Sequence, residues 1–83
     1  MSSTINPENK IAQLVSEYTG ILPEIVSPTQ HLFDDIGLDS LDIISIGMDL
    51  ENYYSIKINE AKLQECETVD DLIRLVVNTA NAI

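Results

Sequence analysis

The sequence predicts an all-α fold: a small four-helix bundle with three longer helices, one short helix and a long connection between helices one and two. Three observations carry this expectation. Apolar residues recur at helical spacing in separate segments, capping residues stand before those segments, and period-two alternation is nowhere sustained. Beta propensity is present in Ile43-Ile44, Ile56-Lys57-Ile58 and Val76-Val77, but each run is too short for a sheet. Helices with an apolar stripe can bury those stripes against one another.

The first helix is expected to start at Asn6, with Pro7 at the first helical position, where its missing N–H removes no bond. Ile11, Leu14, Val15 and Tyr18 follow at helical spacing, and Gly20 is a natural stop. Residues 21–39 make a connection long for a compact domain, interrupted by Pro23 and Pro28 and punctuated by Asp34, Asp35 and Gly37. Ile25, Val26, Leu32, Phe33 and Ile36 are expected to pin it to the core, with a short turn of helix beginning near Thr29. The second helix runs from Ser40 to Tyr54, capped by Asp39, with Asp42 where a capping box places an acid. Beyond Ser55 and Ile56-Lys57-Ile58, a short third helix is expected near Asn59 to Glu65. The fourth begins at Thr68, with Asp71 as its capping partner and Val69, Leu72, Ile73, Val76 and Ala80 on one face.

A chain of 83 residues has room for one domain, taken as residues 1–83, and one modest core. With only 5% aromatic residues, that core must be built mostly from Ile, Leu and Val. The 45% apolar content is that of a globular chain rather than a disordered one. No run approaches the length of a membrane span. Met1-Ser2-Ser3-Thr4-Ile5-Asn6-Pro7 has neither the basic start nor the hydrophobic run of a secretory signal. Cys66 is alone, which excludes an internal disulfide and fits a reducing cytoplasm.

Charge is the informative bulk property. Fourteen acids against four bases give a net charge of -10, and between Ile11 and Ile56 eight acids stand without one Lys or Arg. Such a surface repels phosphate backbones and draws partners with basic patches. The same acidity also serves solubility, so charge alone does not assign a function.

Helix two carries more apolar surface than one buried stripe requires. Ile43, Ile46, Gly47, Leu50 and Tyr54 form one broad side, while Leu41, Ile44 and Met48 form another row at i, i+3 and i+7. Either the second row is covered by the 21–39 connection, or it stays partly exposed as a docking surface among Asp42, Asp49 and Glu51. Gly47 is costly inside a helix, by roughly 1 kcal/mol relative to Ala. It serves either close packing or space beside the core, and pattern alone does not choose.

Ser40 stands just after a Gly-and-Asp turn, at the start of helix two, where its plainest role is a local bond to an orphan backbone N–H. It lacks a catalytic nucleophile's surroundings: His31, on the preceding connection, is the only histidine and reads as a surface or loop-packing residue. The acids between residues 34 and 42 do not match the ligand spacing of an EF-hand loop.

The segment Leu32-Phe33-Asp34-Asp35-Ile36-Gly37-Leu38-Asp39-Ser40-Leu41-Asp42 closely resembles the attachment signature of the acyl carrier protein family, with Asp39-Ser40-Leu41 as its centre. Met48-x-Leu50-Glu51, Ile56-x-Ile58 and Glu67-Thr68-Val69-x-Asp71-Leu72 fall where that family has its equivalents, so the resemblance covers nearly all 83 residues. It implies a carrier that performs no catalysis itself. Ser40 would receive 4′-phosphopantetheine from coenzyme A through a separate magnesium-dependent phosphopantetheinyl transferase, and the arm's thiol would hold cargo as a thioester. Asp39 would position the serine. Leu41, Asp42, Ile44, Ser45, Met48 and Glu51 would make up the partner-binding face, toward the transferase and toward acyl-loading, condensing or acyl-transferring enzymes with basic docking patches. The bundle interior would accept at least part of an acyl cargo.

Departures bear on the pathway. Fatty-acid carriers commonly have glutamate where this chain has Ser45, and consecutive glutamates where it has Glu51-Asn52. Their usual phenylalanine is replaced in the Tyr53-Tyr54 pair, and the paired glycines of many peptidyl carriers are absent from Gly37-Leu38-Asp39-Ser40. Fatty-acid, specialised-lipid and polyketide pathways remain open. A discrete aminoacyl carrier, or an unmodified acidic interaction module with the same fold, is the alternative. A freestanding, monomeric, cytoplasmic protein is expected.

Overall fold

The computed structural model describes residues 6–81; the reading of Met1–Ile5 as free of a signal lies outside them. The elements are α1 (Glu8–Thr19), a 3-10 turn (Pro23–Ile25), α2 (Ser40–Tyr54), α3 (Glu60–Glu65) and α4 (Val69–Asn81). This is the expected all-α arrangement of three longer helices and one short one. Among the described residues the nearest thing to a sheet is an isolated antiparallel bridge between His31 and Thr68.

Local signals set most boundaries. The Pro7 carbonyl accepts the first helical bond, from Ile11 N–H at 2.8 Å, so Pro7 sits one position outside α1 rather than as its first residue. Gly20 ends α1 with φ at 82°, the left-handed conformation that glycine adopts without a Cβ penalty. Asn59 caps α3 through Lys62 N–H, and Thr68 and Asp71 exchange bonds at the start of α4.

The helices pack pairwise, α2 against α1 and α3, and α4 against α1 and α3. Ile11, Val15, Ile43, Ile46, Leu50, Leu72 and Val76 are fully buried at the centre, which makes the core aliphatic. The connection between α1 and α2 differs from expectation in two respects. Its helical turn is at Pro23–Ile25 rather than near Thr29, because Pro23 supplies the fixed φ that starts a helical turn. Ile25 is 56% exposed and does not pin the segment, whereas Leu32, Ile36 and the unforeseen Leu38 are buried, with Val26 and Phe33 packed at the core's edge. Tyr18 is also more exposed than a core position, and its hydroxyl donates to Asp49 Oδ2 at 3.0 Å.

Candidate functional site: the start of helix α2

A tight backbone path delivers the chain to Ser40. Residues 31–36 turn back on themselves, Asp35 and Ile36 N–H both donating to the His31 carbonyl. Leu38 N–H then donates to the Leu32 carbonyl at 3.0 Å, and Leu38 enters the core. Gly37 between them has φ at 90°, a conformation L side chains rarely adopt, which explains a glycine at this turn.

Asp39 and Asp42 form a complete capping box. Asp39 Oδ1 accepts from Asp42 N–H at 2.9 Å, and Asp42 Oδ2 accepts from Asp39 N–H at 3.2 Å. The cap is therefore Asp39's, and Ser40 does not perform the local role its position suggested. Ser40 is the first helical residue, exposed, and its hydroxyl makes no hydrogen bond among the described residues. The backbone N–H groups of Ser40 and Leu41 likewise find no acceptor there, as expected of a first helical turn. A free hydroxyl beside two unsatisfied N–H groups at the positive end of a 15-residue helix suits a phosphodiester substituent. These residues thus fit the phosphate end of a phosphopantetheine group.

Downstream, α2 separates its two apolar rows. Ile43, Ile46, Gly47 and Leu50 are buried, while Leu41 is 73% and Met48 58% exposed, with Ile44 half-buried between them. The connection does not cover this second row. Besides Asp42 in the capping box, two more residues of the expected partner face have neighbours of their own. Glu51 Oε2 accepts from Ile58 N–H at 2.7 Å and ties α2 to the segment before α3. Ser45 lies half-buried on the α1 side, beside the Tyr18 phenol, whose pKa is raised by partial burial and by its bond to Asp49.

Beside the exposed row, a pocket of about 120 Å³ opens between α2 and α3, lined by Ile44, Gly47, Met48, Glu51, Ile58, Glu60 and Leu63. A Cβ on Gly47 would overlap the Leu63 side chain, so the glycine permits the close approach of α3. Leu63 and Glu60 were not singled out from the sequence, where the unexplained glycine on the α2 face was the signal available, and Ile58 was named only within the Ile56-x-Ile58 segment. A larger groove, between Ser55, Lys57, Lys62 and Asn78, lies at the other end of α2 and away from Ser40.

Other candidate residues serve the turn. Asp35 Oδ2 accepts from His31 N–H at 2.7 Å, and His31 Nδ1 accepts from the N–H groups of Phe33 and Asp34. Cys66 is buried and its thiol is pushed up to about 11, chiefly by desolvation.

The family described as "Phosphopantetheine attachment site" matches residues 9–76, which span α1 through most of α4. The chain belongs to the acyl carrier protein family. It is 32% identical over 68 residues to the acyl carrier protein of Thermotoga maritima, covering 82% of this chain and 84% of that one. It is 33% identical over 66 residues to the meromycolate extension acyl carrier protein of Mycobacterium leprae, and this covers 80% of the chain and 57% of that relative's length. The crystal structure of the Thermotoga maritima acyl carrier protein superposes with a TM-score of 0.76 at 26% identity, covering 88% of this chain and 85% of that one. As an acyl carrier protein the chain is a non-catalytic carrier whose prosthetic group is phosphopantetheine.

Proposed function

We propose that Ser40 carries the phosphopantetheine arm, that Asp39 fixes its position, and that the exposed α2 row receives the partner enzymes. The observation that carries this reading is the exposed Ser40 hydroxyl, free of hydrogen bonds, at a helix start held by the Asp39–Asp42 box. When attached, the arm supplies the terminal thiol on which cargo is held as a thioester. The chain's own residues hold and present it. The N–H groups of Ser40 and Leu41 face the phosphate position, and the capping box keeps the serine backbone fixed while its side chain stays free for transfer.

Leu41 and Met48 provide apolar contact that desolvates on docking, with Ile44 between them. Asp42 and Glu51 flank this row while their side chains also hold the fold, and Ser45 extends the proposed face toward α1. The net charge of -10 speeds encounter with basic patches on a phosphopantetheinyl transferase and on acyl-loading, condensing or acyl-transferring enzymes. Contacts this small favour fast release, as a shuttling carrier requires.

The cargo is an acyl group of fatty-acid, specialised-lipid or polyketide type. Support comes from the apolar lining of the α2–α3 pocket and from relatives named for meromycolate extension. At about 120 Å³ the pocket is smaller than a cavity of about 150 Å³ that holds benzene, so it takes only a short stretch of chain unless α3 moves. A monomer in a reducing cytoplasm is the setting, supported by the free Cys66. No helix among the described residues is long and apolar enough to cross a membrane.

Intact-protein and peptide mass spectrometry after incubation with coenzyme A, magnesium and a broadly active transferase tests the assignment. A single phosphopantetheine increment on the peptide containing Ser40, absent in Ser40→Ala, is expected. An increment that persists in Ser40→Ala, or none in the folded wild-type chain, would overturn it in favour of another attachment residue or an unmodified interaction module.

A further inference from the structure

The turn that leads to Ser40 is capped by an unusual acceptor. His31 Nδ1 receives the backbone N–H of Phe33 at 3.2 Å and that of Asp34 at 3.1 Å. The Asp35 carboxylate answers by accepting the His31 N–H at 2.7 Å, so side chain and backbone are exchanged as in a capping box, with imidazole where a hydroxyl or carboxylate usually sits. The same residue anchors the turn to the rest of the molecule: His31 is bridged to Thr68, and Leu32 N–H donates to the Glu67 carbonyl at 2.7 Å. The ring also packs against Phe33, with centroids 5.9 Å apart.

An imidazole nitrogen accepts only through its lone pair. Two N–H groups aimed at Nδ1 therefore fix the neutral tautomer with the proton on Nε2. Once Nδ1 is protonated it becomes a donor, and both backbone N–H groups lose their acceptor together. We propose that His31 is a pH-sensitive cap, whose protonation unlocks the 31–36 turn and loosens the approach to Ser40.

The surrounding charges leave the protonated ring somewhere to go. Asp34 Oδ2 is 3.8 Å from Nδ1 and largely exposed, so rotation of the ring exchanges two backbone bonds for one solvent-facing ion pair. Asp35, on the same turn, stays engaged with the His31 backbone. On the segment packed against the turn, Glu67, Asp70 and Asp71 are acids; Asp71 is occupied by the N–H groups of Glu67 and Thr68, and the cation Arg74 is held by Asp70 at 2.9 Å. The change propagates because Leu32, Ile36 and Leu38 leave this turn for the core, and the Leu38 N–H bonds back to Leu32.

Amide hydrogen exchange by NMR on the full chain tests this across the range in which histidine changes charge, from about pH 8 to about pH 5. After correction for intrinsic rates, protection of the Phe33 and Asp34 amides should fall on the order of tenfold, the worth of one or two net hydrogen bonds. Protection of the Ile46 amide in α2 should stay constant. In His31→Asn, whose side-chain oxygen can cap at every pH, the Phe33 and Asp34 values should be flat. A flat wild-type profile, or an equal fall in His31→Asn, would overturn the proposal. Nitrogen shifts of the wild-type ring give a check that needs no variant: at neutral pH the Nε2–H tautomer is expected, and a dominant Nδ1–H tautomer would refute the cap.

Discussion

Asp39 fixes Ser40 without occupying it. Its carboxylate takes the Asp42 N–H, its carbonyl takes the Ile43 N–H, and its own N–H is taken by Asp42, so the backbone on both sides of the serine is held. Removing the side chain should release the first turn of α2. Asp39→Ala is expected to destabilise the fold by about 1 kcal/mol in urea denaturation, with slower loading at Ser40. Asp39→Asn caps comparably and should restore stability. If loading stays slow in Asp39→Asn while stability recovers, the negative charge itself is read by the transferase. Ser40→Ala, by contrast, removes a hydroxyl with no partner and should change stability by no more than about 0.5 kcal/mol. A large loss there would mean that Ser40 supports the helix after all.

The helix α2 has a buried side and an exposed apolar row, the second of which is the docking face proposed above. Its buried side is continuous with the core, whereas Leu41 and Met48 are over half exposed. Ile43→Ala should therefore cost about 2–5 kcal/mol through lost burial and the cavity left behind. Leu41→Ala and Met48→Ala should each change the unfolding free energy from urea denaturation by less than about 0.5 kcal/mol while weakening binding to the transferase measurably. Equal losses of stability in all three variants would contradict a division into core and docking faces. The α2 boundaries were legible because their causes are local: a capping box spans four residues, and apolar spacing names the buried side. What stayed illegible depended on which element arrives from elsewhere. Whether the Leu41 row was covered turned on the path of the 21–39 connection; whether Gly47 served packing turned on Leu63 of α3. Ser45 and Glu51 read only as partner-face residues, and nothing local showed that Tyr18 and Ile58 come beside them. Leu38 was missed because a single apolar residue between Gly37 and Asp39 has no periodicity to announce it. At α4 the local signal was sufficient again, and it has a pH consequence. Asp71 is held below its ordinary pKa of 3.8, first by the Glu67 N–H and then by that of Thr68. A carboxylate with a lowered folded-state pKa adds stability above its unfolded value and withdraws it as pH falls. Stability should thus drop as pH falls below about 4, and less steeply in Asp71→Asn, as followed by helical circular dichroism.

Across the whole molecule, fold and function make opposite demands on charge. The chain places eight acids and no Lys or Arg between Ile11 and Ile56, and that interval includes Ser40 and all of α2. Of the four cations, Arg74 pairs with Asp70 and Lys10 lies over the Tyr53 ring at 4.3 Å, so neither is free to neutralise the docking face. The acids around Ser40 therefore repel one another in the isolated carrier and attract a basic partner at range. Both effects are Coulombic, and salt screens both. Raising ionic strength from about 0.01 M to about 0.15 M shortens the Debye length from about 30 Å to about 8 Å. Over that interval the melting temperature of the carrier should rise as self-repulsion fades, while its association rate with a transferase or acyl-transferring enzyme should fall. On the docking face proposed above, where apolar Leu41 and Met48 make the contact, the dissociation rate should change little. Opposite movements of stability and association rate would trace both to the same acidic surface. A melting temperature and an association rate that both ignore salt would mean that this surface serves only solubility, leaving recognition to the apolar row alone.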